Sequence, residues 1–238
     1  MEPETTYPSF AADAVGWLSE EQMIEVDRVM IEDLKIELIQ MMENAGRNLA
    51  RLVLDRYNPS SVHVYAGSGG NGGGGMVAAR HLANVGVDVA VTLSSPGEGF
   101  SGVPAHQLDV LGRMGIQPSS AASADVAIDA IIGYSLRGAP RGTAADLISA
   151  MADNAQSIVS LDTPSGLNVT TGELPGVAVS ADATLTLAAP KEGMRNIANV
   201  GDLYLADISV PPSVLEKLDS QPPDFARSSI VRIERAAS

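Results

Sequence analysis

"SVHVYAGSGGNGGGGMVAARHLANVG", residues 61–86, decides the fold. Its opening, Ser61–Ala66, alternates like a buried strand, and "MVAARHLANVG" reads as a helix closing at Gly86. Between them, Gly67 to Gly75 puts seven glycines into nine residues. Each glycine costs about 0.5–1 kcal/mol relative to alanine in ordered structure, so such density needs a compensating reason. A glycine-rich turn from strand to helix supplies one, because there a backbone approaches a phosphate closely with its N–H groups aimed at the charge.

Working outward, the same alternation of strand and helix continues. "VDVAVTL" (87–93), "ADVAIDAIIG" (124–133), "SIVSLD" (157–162), "ADATLTLAA" (181–189) and "GDLYLADI" (201–208) read as buried strands. Helices are expected over 103–115 and 142–154. Upstream, Ser19 is the expected N-cap of "EEQMIEVDRVMIED", with acids in the first turn as the helix dipole prefers. A second helix follows over 36–57, where Met41 and Met42 read as core filling. Strands separated by helices imply βαβ units, hence an α/β fold with a mostly parallel sheet covered on both faces. No repeat or linker divides the chain, which reads as one domain with a core of about 19–212. Residues 1–18 read as an irregular leader carrying Trp17, and 213–238 as a polar tail.

Composition excludes several function classes. Among 238 residues, 45% are apolar but only 4% aromatic, so the core is built from Val, Ile, Leu, Met and Ala. No apolar run reaches the roughly 18–20 residues of a membrane helix. The absence of cysteine removes disulfides, thiolate metal sites and cysteine nucleophiles. A formal net charge of -14 with no basic stripe disfavours nucleic acid as a partner. The acidic N-terminus lacks the basic n-region of a secretory signal, so the expected location is cytoplasmic.

In parallel α/β sheets ligands bind at the carboxyl ends of the strands. Three stretches fall there: the glycine turn, "DAIIGYSLRGAPRG" around the third strand, and "DTPSGLNVTTGE" after the fourth. Gly67, Gly69 and Gly72 satisfy G-x-G-x-x-G, which raises a nicotinamide-dependent oxidoreductase. That reading wants an acid at the end of the next strand for the ribose; Ser94 and Ser95 stand there, with Glu98 displaced into the loop.

"MMENAGRNLA", "GSGGNGGGGMVAARHL", "DAIIGYSLRG", "DTPSGLNVTTGE" and "TLTLAAPKEGM" occur in the order and spacing of the YjeF N-terminal domain family, which the chain resembles over about residues 20–212. The resemblance implies a Rossmann-like three-layer α/β/α sandwich. It also implies NAD(P)H-hydrate epimerase activity, an isomerase reaction on hydrated NADH or NADPH that repairs damaged cofactor. A catalytically silent nucleotide-binding scaffold of the same fold is the alternative, since fold alone does not set function. By the same resemblance the epimerase works beside an ADP- or ATP-dependent dehydratase. Because many relatives fuse the two and this chain ends soon after "VPP" at 210–212, a separate dehydratase is the expected partner. Homodimers occur in the family.

Carried over motif by motif, the resemblance implies these roles. Asp162 contacts the hydrate and is the acid/base; its plain alternative is a turn-capping aspartate. Substrate-binding positions are Gly70, Asn71, Gly72, Gly73 and Gly74 in the glycine turn, Gly133, Tyr134, Ser135, Leu136, Arg137, Gly138 and Ala139 in the second loop, and Asp162 itself. Asn71, Asp129 and Ser165 are the side-chain ligands of a potassium ion. One carboxylate with amide and hydroxyl oxygens suits a hard cation of low charge. An amide at 129 still offers an oxygen, so Asp129→Asn is expected to be milder than Asp129→Ala.

Arg137 reads equally as a phosphate partner or a solvated loop arginine, and Lys191 as a phosphate contact or a surface charge. His63, His81 and His106 show no ligand spacing. The chain departs from the family turn G-P-G-N-N-G-G-D-G at Ser68, Gly70 and Gly74. The last departure removes a carboxylate, and Gly74→Asp is expected to raise activity or affinity modestly.

Overall fold

Val62, Val64 and Ala66 pack into one buried cluster, while Tyr65, stacked on His63, packs into another on the opposite face. This is the period-two geometry of a strand with both faces covered. The computed structural model describes residues 7–120 and 122–235. In chain order its elements are β1 (Ser9–Ala11), α1 (Glu20–Arg28), a π-helical turn (Val29–Asp33), α2 (Leu38–Tyr57), β2 (Ser61–Ala66) and α3 (Gly70–Asn84). There follow β3 (Asp88–Leu93), α4 (Gly102–Arg113), β4 (Ala124–Ala130), α5 (Gly142–Asn154), β5 (Ala155–Leu161), β6 (Ala183–Leu187), β7 (Asp202–Ala206), α6 (Pro212–Glu216) and β8 (Ile230–Glu234).

The strands form one sheet in the order β1-β8-β7-β6-β5-β4-β2-β3. Every pairing is parallel except β7 with β8. Helices α2, α3 and α4 share a core with one face of the sheet through Leu49, Met76 and Leu111. Helix α5 covers the other face through Leu147, Ile148 and Met151. The expected α/β sandwich with a mostly parallel sheet is therefore present. Ser19 caps α1 as expected, in a reciprocal box with Gln22. No described helix is long and apolar enough to cross a membrane.

Three sequence expectations need correction. The segments read as leader and tail both enter the sheet, since β1 pairs β8 and β8 pairs β7. Residues 1–6 and 236–238 of those segments lie outside the described residues. Trp17 is buried with Leu203, Leu205, Val231 and Ile233, and its indole N–H donates to the Ala12 carbonyl at 2.7 Å. Three- and five-residue strands at an edge, one beginning after two prolines and a polar run, carry too few alternations to stand out in sequence.

The third correction answers what the glycines do. Helix α3 starts at Gly70 rather than at Met76, so most of the run is helical. A Cβ on Gly72 would come 1.7 Å from the Gly67 carbonyl oxygen, and one on Gly75 would come 2.5 Å from Ala130 Cβ. Gly46 on α2 sits equally close to Val77 on α3. The glycines thus let α3 press against β2, β4 and α2 closer than any side chain permits. Within the run only Gly69 and Gly70 face open space, while a Cβ on Gly67 would come 1.9 Å from the Ile131 carbonyl oxygen.

Gly72→Ala is accordingly expected to destabilise the fold by at least about 3 kcal/mol, the upper end of overpacking costs, because the obstacle is backbone. Gly70→Ala is expected to change stability by no more than about 0.5 kcal/mol. Urea unfolding of the two variants checks this; equal effects would contradict the packing account.

Candidate active site

Strands β3 and β4 lie on opposite sides of β2, while α3 and α5 leave the sheet on opposite faces. Such a reversal opens a crevice at the carboxyl ends of the strands. A cavity of about 610 Å³ occupies it, within the size range of small-molecule sites. Gly70 and Asn71 at the start of α3 form part of its wall, as do Gly133, Tyr134 and Ser135 after β4 and Asp162 after β5. Met23, Ile31, Leu38, Met41, Leu161 and Leu187 make the remainder largely apolar. A second, more open groove of about 710 Å³ runs between α2 and α4. It lies off the strand ends, and its Glu43 and Arg80 are paired with each other.

Asp162 is the most constrained residue of the cavity. It follows β5 with φ +66°, a left-handed conformation that costs a non-glycine residue of order 1–3 kcal/mol and marks functional positions when the surroundings enforce it. Its N–H donates to the Leu185 carbonyl at 2.7 Å, which fixes the backbone. Its side chain is ion-paired with Lys191, whose Nζ also donates to Thr186 Oγ1 at 3.0 Å and the Leu187 carbonyl at 2.9 Å. The Leu187 N–H donates to Asp162 Oδ1 at 3.3 Å, the same oxygen that Lys191 engages. Oδ2 is left without a partner among the described residues. Lys191 is wholly buried, neither surface charge nor exposed phosphate contact.

Asp129 and Ser165 are brought together directly. The fully buried Asp129 carboxylate accepts from Ser165 Oγ at 2.5 Å, Ser165 N–H at 2.8 Å, Ser160 Oγ at 2.8 Å and Ile131 N–H at 3.3 Å. Burial pushes its pKa above the ordinary value and these four neutral donors pull it back only in part. Asn71 sits against Gly133, whose Cβ would lie 3.4 Å from the Asn71 side chain. Its buried Nδ2 has no hydrogen-bond partner among the described residues.

The other expected site residues divide. The N–H groups of Gly70, Asn71 and Gly72 precede the first intrahelical bond of α3, from Gly73 N–H to the Gly69 carbonyl at 3.1 Å. They are therefore free to meet an anion. Gly73 is packed against Met42, and Gly74 lies on the cavity wall beside Leu161. Leu136, Arg137, Gly138 and Ala139 lie outside the cavity lining; Arg137 is exposed and paired with Glu20. One cavity acid escaped the sequence reading. Asp27 on α1 accepts a hydrogen bond from the Tyr134 hydroxyl at 2.5 Å. Its only sequence signal is a charged position between Val26 and the apolar run after Arg28, which a solvent-facing helix position shares.

Comparison with known proteins is consistent with this geometry. The family model described as YjeF-related protein N-terminus matches residues 38–193. A protein of Dehalogenimonas lykanthroporepellens named NAD(P)H-hydrate epimerase is 46% identical over 201 residues, covering 81% of each chain. One of Hyperthermus butylicus named bifunctional NAD(P)H-hydrate repair enzyme Nnr is 41% identical over 76% of this chain, which spans 36% of its length. In fold, the crystal structure of the yeast protein ynu0 superposes with a TM-score of 0.75 at 22% identity, over 91% of this chain and 99% of that one.

The donors around Asp129 also set what an amide there costs the fold. Whichever oxygen an amide replaces, its NH₂ meets a fixed backbone N–H, from Ser165 or from Ile131. Asp129→Asn is therefore expected to lose about 1–3 kcal/mol of stability, the cost of an unsatisfied buried donor. Thermal unfolding tests this, and a variant as stable as the parent protein would contradict it.

Proposed function

The chain belongs to the YjeF-related N-terminal family, and from that premise we propose that it is an NAD(P)H-hydrate epimerase, interconverting the R and S hydrates of NADH and NADPH at C6 of the nicotinamide ring. The observation that carries the reading is Asp162, an acid held in a strained backbone conformation inside a largely apolar cavity of ligand size. C6 bears both the hydroxyl and the ring nitrogen N1. The N1 lone pair expels the hydroxyl as water once it is protonated, and water returns to either face of the resulting iminium. The protein has to give one proton and take one.

Asp162 is built for that exchange. Lys191 and the Leu187 N–H both engage Oδ1, which orients the carboxyl group and leaves Oδ2 to handle the proton. The apolar walls seat the nicotinamide ring and limit the water around it. The free N–H groups of Gly70, Asn71 and Gly72 receive the pyrophosphate, local donors that offset the net charge of -14 at close range.

Asn71, Asp129 and Ser165 are the side chains that would hold potassium. Two features of the site suit it: Asp129 is buried among neutral donors only, and the Asn71 amide nitrogen has no partner. Turning that amide by 180° presents its oxygen instead. When bound, the ion supplies a fixed positive charge beside the Asp129 carboxylate. The partner in the reaction sequence is an ADP- or ATP-dependent dehydratase that consumes one epimer.

Mixing this protein and such a dehydratase with epimerised NADPH hydrate is expected to return all of the NADPH; a reaction that stalls with one epimer unconsumed would overturn the reading. Asp162→Asn keeps the shape but not the proton exchange, so turnover is expected to fall about 10²–10⁴-fold. Replacing KCl with a tetramethylammonium salt at equal ionic strength is expected to lower activity, and equal rates would remove potassium from the account.

A further inference from the structure

Inversion at C6 sets a requirement that one carboxyl group meets poorly. The hydroxyl leaves from one face of the ring and water must enter from the other, so proton exchange is needed on both faces. Asp162 comes up from a strand end. Among the described residues the cavity wall holds one other carboxyl group, Asp27, and it comes from helix α1 rather than from a strand end. The segment entering α1 is stitched to the loop that carries Lys191. Leu18 N–H donates to the Pro190 carbonyl at 2.9 Å, and Glu192 N–H donates to the Leu18 carbonyl at 3.1 Å. Met23, Val26 and Met30 then pack on Ala188, Ala189 and Ile208. These contacts fix α1 against the loop that carries Lys191. The Tyr134 hydroxyl holds Asp27 Oδ2 at 2.5 Å, and the helix widens into its π-helical turn directly beyond, a distortion common at functional sites.

We propose that Asp27, positioned by Tyr134, is the second proton-exchange group of the cavity and serves the ring face opposite Asp162. The proposal rests on the epimerase reading. In one direction the Asp27 carboxyl gives its proton to the C6 hydroxyl. The C6–O bond breaks with its electron pair on oxygen, water departs, and the N1 lone pair forms the N1=C6 bond. A second water adds to C6 from the opposite face, the π pair returns to N1, and the released proton passes to Asp162. The reverse reaction begins with the proton on Asp162, so the two acids share one proton. Solvent returns it between turnovers through the open mouth.

The groups facing Asp27 agree with that role. Burial raises its pKa above the ordinary value, the Tyr134 hydrogen bond lowers it, the Asp162 charge raises it, and Lys191 lowers it. Burial beside a second carboxylate favours the proton on Asp27, and the proposed exchange runs only while the pair holds one proton. Rate against pH is therefore bell-shaped. Removing the Tyr134 hydroxyl takes away a lowering contribution and moves the alkaline limb upward.

The test follows both oxygen and configuration. Each purified epimer of NADH hydrate is incubated separately in ¹⁸O-water with the parent protein or with Asp27→Asn, which preserves size and still accepts from Tyr134. Mass spectrometry reads incorporation at C6, and chromatography reads inversion. In the parent protein both proceed. In Asp27→Asn, inversion of either epimer is expected to fall about 10²–10⁴-fold, while ¹⁸O exchange with retained configuration persists only for the epimer whose hydroxyl faces Asp162, which can release and return water on its own face. In Tyr134→Phe the alkaline limb of inversion is expected to shift upward. Loss of exchange in both epimers, unchanged inversion in Asp27→Asn, or an unshifted limb in Tyr134→Phe would each overturn the role of Asp27. A parent protein that neither exchanges nor inverts would overturn the epimerase reading itself, and the proposal with it.

Discussion

The contact between Gly72 and the carbonyl of Gly67 is the constraint on which the rest of the structure depends. A Cβ at 72 would lie 1.7 Å from that oxygen, so helix α3 can begin this close to the end of β2 only where no side chain intervenes. Gly75 against Ala130 and Gly46 against Val77 continue the same close approach along the helix. Two consequences follow at once. The sheet, α3 and α2 lock into one dense core, and the unpaired N–H groups at the helix start come to rest at the switch point of the sheet. The entropy lost in ordering a glycine run is offset by packing over most of its length, and by an anion-ready backbone only at its beginning.

The carboxyl ends of β4, β5 and β6 are joined by two buried acids with different surroundings. Asp129 gathers donors from Ile131, Ser160 and Ser165, so it connects the end of β4, the interior of β5 and the turn beyond. Asp162 connects β5 to the loop after β6 through Leu185, Leu187 and Lys191. The first acid is enclosed by neutral groups and shaped for support or for a cation. The second keeps one oxygen uncommitted toward a cavity. Similar residues thus take dissimilar roles because the donors around them differ.

Much of this was legible in sequence, for identifiable reasons. β2 and α5 have the boundaries their sequence predicts, because buried alternation and helical periodicity are strong over six or more residues. The motif positions Asn71, Gly133, Tyr134, Ser135 and Asp162 do converge on one cavity. Other features were hidden. A glycine run argues against helix by propensity, and only tertiary packing made Gly70–Gly75 helical. Lys191 follows a strand and looks like a surface charge until Asp162 and two oxygen acceptors are seen around it. Asp27 resembles a solvated helix position, since nothing local reports that a loop more than a hundred residues away delivers Tyr134 to it.

In the proposed function one geometry, a helix start pressed onto a strand end beside a strained acid, seats both ends of a hydrated nicotinamide nucleotide. A crystal structure of the Asp162→Asn variant with NADPH hydrate bound measures this directly. The predicted result has the pyrophosphate on the N–H groups of Gly70, Asn71 and Gly72, with C6 of the ring within hydrogen-bonding reach of residue 162 through its hydroxyl. A nucleotide seated in the groove between α2 and α4, or a nicotinamide ring turned away from residue 162, would contradict it.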